Sequence, residues 1–372
     1  MADLQAVARD AAAVASSLAR RSESGRRLEP EVVEVIAAGG LHRLCVPAEL
    51  GGPEVDPVSM VDALATVSAG DGAAGWCAMI ASTSSAVSLA MAPDAAAEIY
   101  GDPGAWSGGA YAPGGRGVRE GDGWRVTGRW AWGSGTDHCD WIMGGTLCDA
   151  GGGFRLCLVP ASEVDLEGDW DSSGLRGTAS GHFSIDGALV PESRTVPFPA
   201  TPATSSPLAR FPLMGLLAAG VASVSLGIGR RAIDELVDLA AGKIPLMASK
   251  TLATSPHTHL DVARAEAVLG AGRAFLRDEL ARAWEVVGAG DEIDVTGRTR
   301  LRLAAWHATT AAADAVDLAY DAGGGTSVDS ACVLQRCFRD VHTATQHAMV
   351  GRTHGAAFGR HALGQSIDTA LL

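Results

Sequence analysis

The sequence predicts a mainly α chain of the α+β class: an N-terminal helical domain, a middle antiparallel β-domain and a C-terminal helical bundle. Three observations carry this. Apolar residues recur at helical spacing as far as Ile99. Near Asp102 that period gives way to Gly, Trp, Thr and Val with turn signals. After Pro212 the helical period returns and persists. The expected boundaries are 1–102, 103–207 (its strands ending near 197) and 208–372.

In the first part, Leu28-Glu29-Pro30-Glu31 opens a helix, with proline in the first turn and acids at the positive end of the helix dipole. Val32, Val33, Val35, Ile36 and Leu41 line one face, and Gly39-Gly40 ends it. Pro57–Ser68 and Trp76–Met91 read as further helices. In the middle part, Trp124–Trp130, Trp141–Met143, Phe154–Val159 and His182–Ile185 read as short strands, punctuated by Asp122-Gly123 and Asp186-Gly187. Residues 197–212 are rich in Pro, Ser, Thr and Ala and read as a connector. Segments 213–240, 260–287, 297–321 and 329–363 are long enough for bundle helices.

Composition excludes several classes. With 47% hydrophobic residues over 372 the chain can build a substantial core. A net charge of −14, from 29 Lys+Arg against 43 Asp+Glu, argues against a nucleic-acid partner. No uninterrupted apolar run reaches the roughly 20 residues that cross a bilayer, and residues 1–27 lack a signal-peptide core, so neither membrane nor export is expected. The seven cysteines contain no C-x-x-C and suit buried free thiols in a reducing cytoplasm.

Three motifs invite a chemical reading and do not sustain it. Gly227-Ile-Gly229-Arg-Arg-Ala232 matches a dinucleotide fingerprint, but apolar residues from Leu216 to Leu236 run through it as a helix. Asp340, His347, His354 and His361 recur at seven-residue steps and would share a helix face, but no Glu-x-x-His pair accompanies them, so no metal is expected. No Gly-x-Ser-x-Gly elbow occurs. The densest cluster is Trp130-Ala-Trp132-Gly-Ser134-Gly135-Thr136-Asp137-His138-Cys139-Asp140-Trp141. It reads either as a packed hairpin or as a platform for a flat aromatic ligand, whose ring heteroatoms a Gly-flanked turn lets the backbone and hydroxyls reach.

At this cluster the chain resembles the flavin-dependent monooxygenases that share the acyl-CoA dehydrogenase fold and take reduced flavin from a separate reductase. The resemblance rests on Ala110-Tyr-Ala-Pro113-Gly114, Gly123–Gly135 with Asp137-His138, Gly174-Leu-Arg-Gly-Thr178, Val190-Pro191, and Leu334-Gln-Arg336-Cys-Phe-Arg339-Asp340-Val-His342 continuing to Gln346-His347. These span most of the chain. The resemblance implies a reduced flavin, FMN or FAD, lying along Trp130, Trp132, Gly133, Ser134 and Gly135, with the Ser134 hydroxyl near flavin N5. It implies His347 as the acid or base beside flavin and substrate, a role that an ordinary imidazole pKa near 6.5 suits. Trp76 and Ser84 would border the substrate. Arg336 and Arg339 read either as ion-pair partners of Asp340 and other acids or as contacts to flavin phosphate. Two departures strip polarity from the presumed pocket: Ala81-Ser-Thr-Ser-Ser-Ala86 holds no histidine, and Ala348-Met349-Val350 follow His347.

The expected activity is hydroxylation by O2 of a small aromatic or polyketide-like molecule. Acyl-CoA dehydrogenation is the alternative. It needs a carboxylate base late in the bundle or on the first helix after the β-domain, and neither Val341–Ile367 nor Phe211–Ile233 contains Asp or Glu. A non-catalytic scaffold of the same fold is the second alternative. The Ala/Gly-rich bundle suggests a homodimer or homotetramer.

Overall fold

The computed structural model describes residues 3–369 and 372. Its first part comprises α1 (Leu4–Gly25), α2 (Pro30–Ala38), α3 (Pro57–Gly70), α4 (Gly72–Ser85) and α5 (Pro93–Tyr100). Local chemistry sets the starts of the two that matter most. Asp56 accepts from the backbone N–H of Val58 and Ser59, both at 3.0 Å, ahead of Pro57. Asp71 accepts from Ala74 N–H at 3.1 Å to begin α4. Nearly every residue of α4 is buried, because it packs on α1, α3 and the sheet as well as on the bundle.

The sheet has seven strands: β1 (Ser107–Glu120), β2 (Gly123–Trp130), β3 (Trp141–Cys148), β4 (Gly153–Pro160), β5 (Asp165–Leu166), β6 (Phe183–Pro191) and β7 (Thr195–Pro197), ordered β5-β6-β2-β1-β3-β4-β7. It is mixed rather than antiparallel throughout, since β1 and β3 pair in parallel. The geometry requires it. Strand β2 runs back along β1, from Glu120↔Gly123 to Gly115↔Gly128. The segment 131–140 then carries the chain across to the other edge of β1, where β3 starts level with the beginning of β1, Trp141 opposite Ser107. That crossover is the Gly-Ser-Gly turn singled out above.

The bundle follows: the short α6 (Pro207–Arg210), then α7 (Leu213–Gly242), α8 (Pro256–Gly288), α9 (Val295–Gly323), α10 (Val333–Ala344) and α11 (Arg352–Ala362). The apparent dinucleotide fingerprint lies inside α7. A Cβ on Gly227 would come within 2.3 Å of the Ala65 carbonyl, so this glycine lets α7 approach α3 closely. Helix α7 and the 72–90 segment are long and apolar enough by composition to cross a membrane, contrary to the reading from uninterrupted apolar runs, but each is 89% buried inside the protein. Their apolarity serves the core.

The last segment is not one helix. Residues 329–363 break between α10 and α11, and His347 has extended backbone (φ −68°, ψ 134°). Its Nδ1 accepts from Met349 N–H at 3.2 Å, a side-chain bond to a backbone donor that competes with continuing the helix. Asp340, His347, His354 and His361 therefore share no single helix face.

Candidate active site

The crossover turn is pinned at both glycines. Gly133 N–H donates to Gly181 O and Gly135 N–H to Thr178 O, each at 2.9 Å. Gly135 has φ +69°, where a side chain would be strained. Ser134, buried between them, belongs to a chain of hydroxyls. Its Oγ lies 3.0 Å from Trp76 Nε1 and 2.7 Å from Ser180 Oγ; Ser180 Oγ lies 2.6 Å from Thr178 Oγ1, which donates to Leu175 O at 2.7 Å.

The direction of this chain is determined by its ends. The indole N–H can only donate and the Leu175 carbonyl can only accept. Trp76 therefore donates to Ser134, Ser134 to Ser180, Ser180 to Thr178 and Thr178 to Leu175. Each hydroxyl has one proton, so Ser134 has none left and keeps one open lone pair. Toward any further ligand it can only accept. The far end is anchored in turn, because Leu175 N–H donates to Asp340 Oδ1 at 2.6 Å. Asp340 is buried, and burial together with the nearby Asp71 raises its pKa to about 7.

His347 comes to the same place from the bundle. Its ring meets the indole of Trp76 edge-on, with centroids 5.5 Å apart. Burial and, after it, the Arg302 guanidinium lower its pKa from 6.5 to about 4. At neutral pH it is uncharged, and with Nδ1 accepting from Met349 its proton sits on Nε2. Of the acid and base roles expected for His347, this arrangement favours the N–H donor, and the residue sits in a turn rather than on a helix.

Thus Ser134, Trp76 and His347 are brought together, and Trp132 and the two glycines adjoin them. Trp132, at φ +63°, leaves its indole 73% exposed beside Gly133. Four other expectations are corrected or left apart. Trp130 is sunk in the β-core: it is 1% exposed, stacks on Phe183 at 5.1 Å, and donates from Nε1 to Gly145 O at 2.8 Å. It has no face for a cofactor. Arg339 donates from Nε to Gln335 Oε1 at 2.7 Å, from Nη1 to Ser173 O at 2.6 Å and from Nη2 to the Glu23 carboxylate, so its ion-pair partner is Glu23 rather than Asp340. Arg336 is buried; desolvation works against its charge, and Asp71 and Asp340 more than offset that. Ser84 is buried on α4 with no hydrogen bond to Trp76, Ser134 or His347. Sequence reasoning missed Ser180 and Arg302 altogether. Thr178 lay in a quoted motif without a role, and the direction of the hydroxyl chain has no signature in one dimension.

The donor and acceptor pattern fits a reduced flavin. An acceptor-only hydroxyl between two glycines matches a protonated ring nitrogen, and the exposed Trp132 indole offers a flat apolar face beside it. The fit excludes bulk at the turn: a Cβ on Gly133 would meet the Phe183 ring at 2.7 Å. Elsewhere, Glu167, Asp169 and His182 cluster within metal-ligand reach on the β-domain surface, but Arg129 bonds Glu167 and His182 bonds Asp169, so these groups satisfy one another.

Comparison with known proteins agrees with this geometry. Residues 219–352 match the family model for the acyl-CoA dehydrogenase C-terminal domain. The chain is 34% identical to an indole-3-acetate monooxygenase of Pseudomonas putida, covering 88% of this chain and 85% of that protein. It is 28% identical to the oxygenase component of an FADH2-dependent resorcinol hydroxylase from Rhizobium, over 94% and 91% of the two chains. Its fold superposes on the crystal structure of the HsaA monooxygenase from Mycobacterium tuberculosis with a TM-score of 0.90 at 25% identity, over 99% of each chain. With the crossover serine, its tryptophan donor and the bundle histidine in one place, the chain belongs to the flavin-dependent monooxygenases of the acyl-CoA dehydrogenase fold.

Proposed function

We propose that this monooxygenase hydroxylates a small aromatic or polyketide-like molecule, aromatic first, between the crossover turn, α4 and the 345–350 turn, using reduced FMN or FAD handed over by a separate reductase. The observation that carries the site is the one-way hydroxyl chain ending on an acceptor-only Ser134. The aromatic preference draws on the relatives, named for indole-3-acetate and resorcinol. The oxygenase-component relative supports the reductase.

When bound, reduced flavin supplies the two electrons by which one oxygen atom of O2 enters the substrate and the other leaves as water. The chain's own residues do the rest. Ser134 accepts from the N–H of N5 and holds that proton in place. Trp76, bonded to Ser134, fixes the hydroxyl's orientation and walls off one side. His347 donates from Nε2 to a substrate oxygen and orients it. Trp130, Phe183 and the buried face of α4 stiffen the walls from behind.

The test begins with calorimetric titration of reduced FMN and FAD under anaerobic conditions, followed by addition of ¹⁸O2 with an aromatic substrate. Reduced flavin is expected to bind, and label to enter the product. In Ser134→Ala, reduced-flavin affinity is expected to stay close to wild type, while the share of oxygen released as hydrogen peroxide rises at the expense of product. Unlabelled product would refute oxygen transfer, and unchanged coupling in Ser134→Ala would remove Ser134 from the site.

Self-association is part of the proposal. In the 243–252 connection, Ile244, Leu246 and Met247 are 57%, 95% and 99% exposed, an apolar cluster that a second copy would cover. A homodimer or homotetramer is expected, and light scattering giving a mass near 37.9 kDa at micromolar concentration would refute it. We place the enzyme in the cytoplasm, where its seven free cysteines stay reduced.

A further inference from the structure

We infer that the substrate carries an anionic group, a carboxylate, and that Arg302 receives it. This rests on the aromatic reading above and deepens it. Arg302, on α9, is 0% exposed. A buried guanidinium ordinarily has its charge offset by nearby carboxylates, as Asp71 and Asp340 offset that of Arg336. Arg302 has none. Its Nη1 donates to Met214 O at 2.5 Å and approaches Met349 Sδ at 3.4 Å. Its Nη2 meets the His354 ring, 2.6 Å from Nε2, and its Nε has no partner. Burial alone lowers its pKa to about 10, with no acid to oppose the shift.

The position favours substrate. Met349 Sδ, against Arg302, lies two residues from His347, whose ring meets Trp76, the donor to Ser134. Arg302 therefore lies close to this histidine, and its charge bears on the imidazole. The open edge is also the right one. Nε, unpartnered, and Nη2, held only by neutral His354, form the side of a guanidinium that takes a carboxylate through two parallel bonds. Arg302 Nη2 faces both nitrogens of the His354 ring, Nε2 at 2.6 Å and Nδ1 at 3.2 Å, and Nε2 also lies 2.8 Å from the Ala348 carbonyl. A carboxylate on Arg302 takes Nη2 over from the ring and leaves His354 Nε2 to donate to Ala348. Helix α11, which carries His354, has no fully buried residue, so little packing opposes its displacement.

The experiment measures dissociation constants by calorimetry on enzyme loaded with reduced flavin under anaerobic conditions. The probes are indole-3-acetate, its neutral isostere indole-3-acetamide, and indole. Wild type is expected to bind the acid about 30-fold or more tightly than the amide, the scale of a buried hydrogen-bonded charge pair. Arg302→Met is expected to bring acid and amide to parity while leaving the amide's affinity near wild type. Equal binding of acid and amide by wild type overturns the inference and needs no variant to fold. Binding of indole without gain from the carboxylate sinks it while leaving the aromatic reading intact. Failure of all three probes to bind removes the aromatic reading beneath it. A parallel titration of reduced FMN against reduced riboflavin separates the other anion source. If Arg302→Met abolishes the preference for the phosphorylated flavin and keeps that for the acid, the ligand of Arg302 is flavin phosphate and the inference falls.

Discussion

Replacing His347 by alanine is expected to cut coupled product formation by about 10²–10³-fold, the usual cost of one preorganised donor in an enclosed site. Reduced-flavin binding should stay near wild type, because Ser134 is held by Trp76 and Ser180 rather than by the imidazole. The pH profile distinguishes a donor from a base. Burial and Arg302 hold the His347 pKa near 4, so its Nε2–H is present throughout the neutral range. Its contribution to product formation should be flat from about pH 5.5 to 8; a base with an ordinary imidazole pKa would fade below about 6.5. A step near 6.5 that disappears in His347→Gln would restore the base. The same shift has a stability sign. The folded pKa is lower than the unfolded one, so between about 6.5 and 4 the unfolded chain binds a proton that the folded chain refuses. Stability from this group is full above that window and is lost as pH falls through it. His42, stacked on Trp106 and also lowered to about 4 by burial and Arg43, acts in the same direction. Asp340 acts in the opposite one: its pKa is raised to about 7, so its contribution is lost as pH rises from about 4 through 7.

Two tryptophans at alternate positions should give opposite results. Trp130→Ala is expected to cost about 3–5 kcal/mol of stability, the range for a large aromatic removed from a core. It deletes the stack on Phe183 and the bond to Gly145 O, and leaves a hole beside Gly115 and Gly144, whose positions already lack Cβ atoms to make room for that indole. Trp132→Ala is expected to move the urea midpoint hardly at all, within about 0.5 kcal/mol, as for exposed sites generally. It should instead weaken reduced-flavin binding by roughly five- to tenfold through the lost aromatic face. Urea unfolding and flavin titration on both variants check the pair. A stable Trp130→Ala protein with impaired flavin binding would put Trp130 back among the cofactor contacts.

These two residues also show how far one dimension reaches. Residues i and i+2 on a strand point to the same face, so alternation put Trp130 and Trp132 together, and the family resemblance assigned both to the flavin. Strand β2 ends at Trp130, and the positive φ of Trp132 turns its side chain away from the core. Nothing in the spacing announces that turn. The single long last helix failed for a related reason. Its helical pattern persists from 329 to 363, but a side-chain bond from His347 to Met349 N–H breaks it. Arg336 and Arg339 were left between two readings because the acids that bear on them, Asp71 by its nearby charge and Glu23 as an ion pair, lie hundreds of positions away in sequence.

By itself the sequence determined the α, then β, then α order, because hydrophobic period reports local backbone geometry directly. It also determined the Gly-Ser-Gly turn, because glycines on either side of a hydroxyl in that context have few other uses. The tertiary structure alone decided the parallel β1–β3 pair, the direction of the hydroxyl chain from Trp76 to Leu175, the neutral state of His347 and the uncompensated charge of Arg302. Each of these is a relation between groups distant in sequence. Hydrogen-bond direction and charge compensation depend on which groups meet and what water is excluded, and only the folded chain sets both.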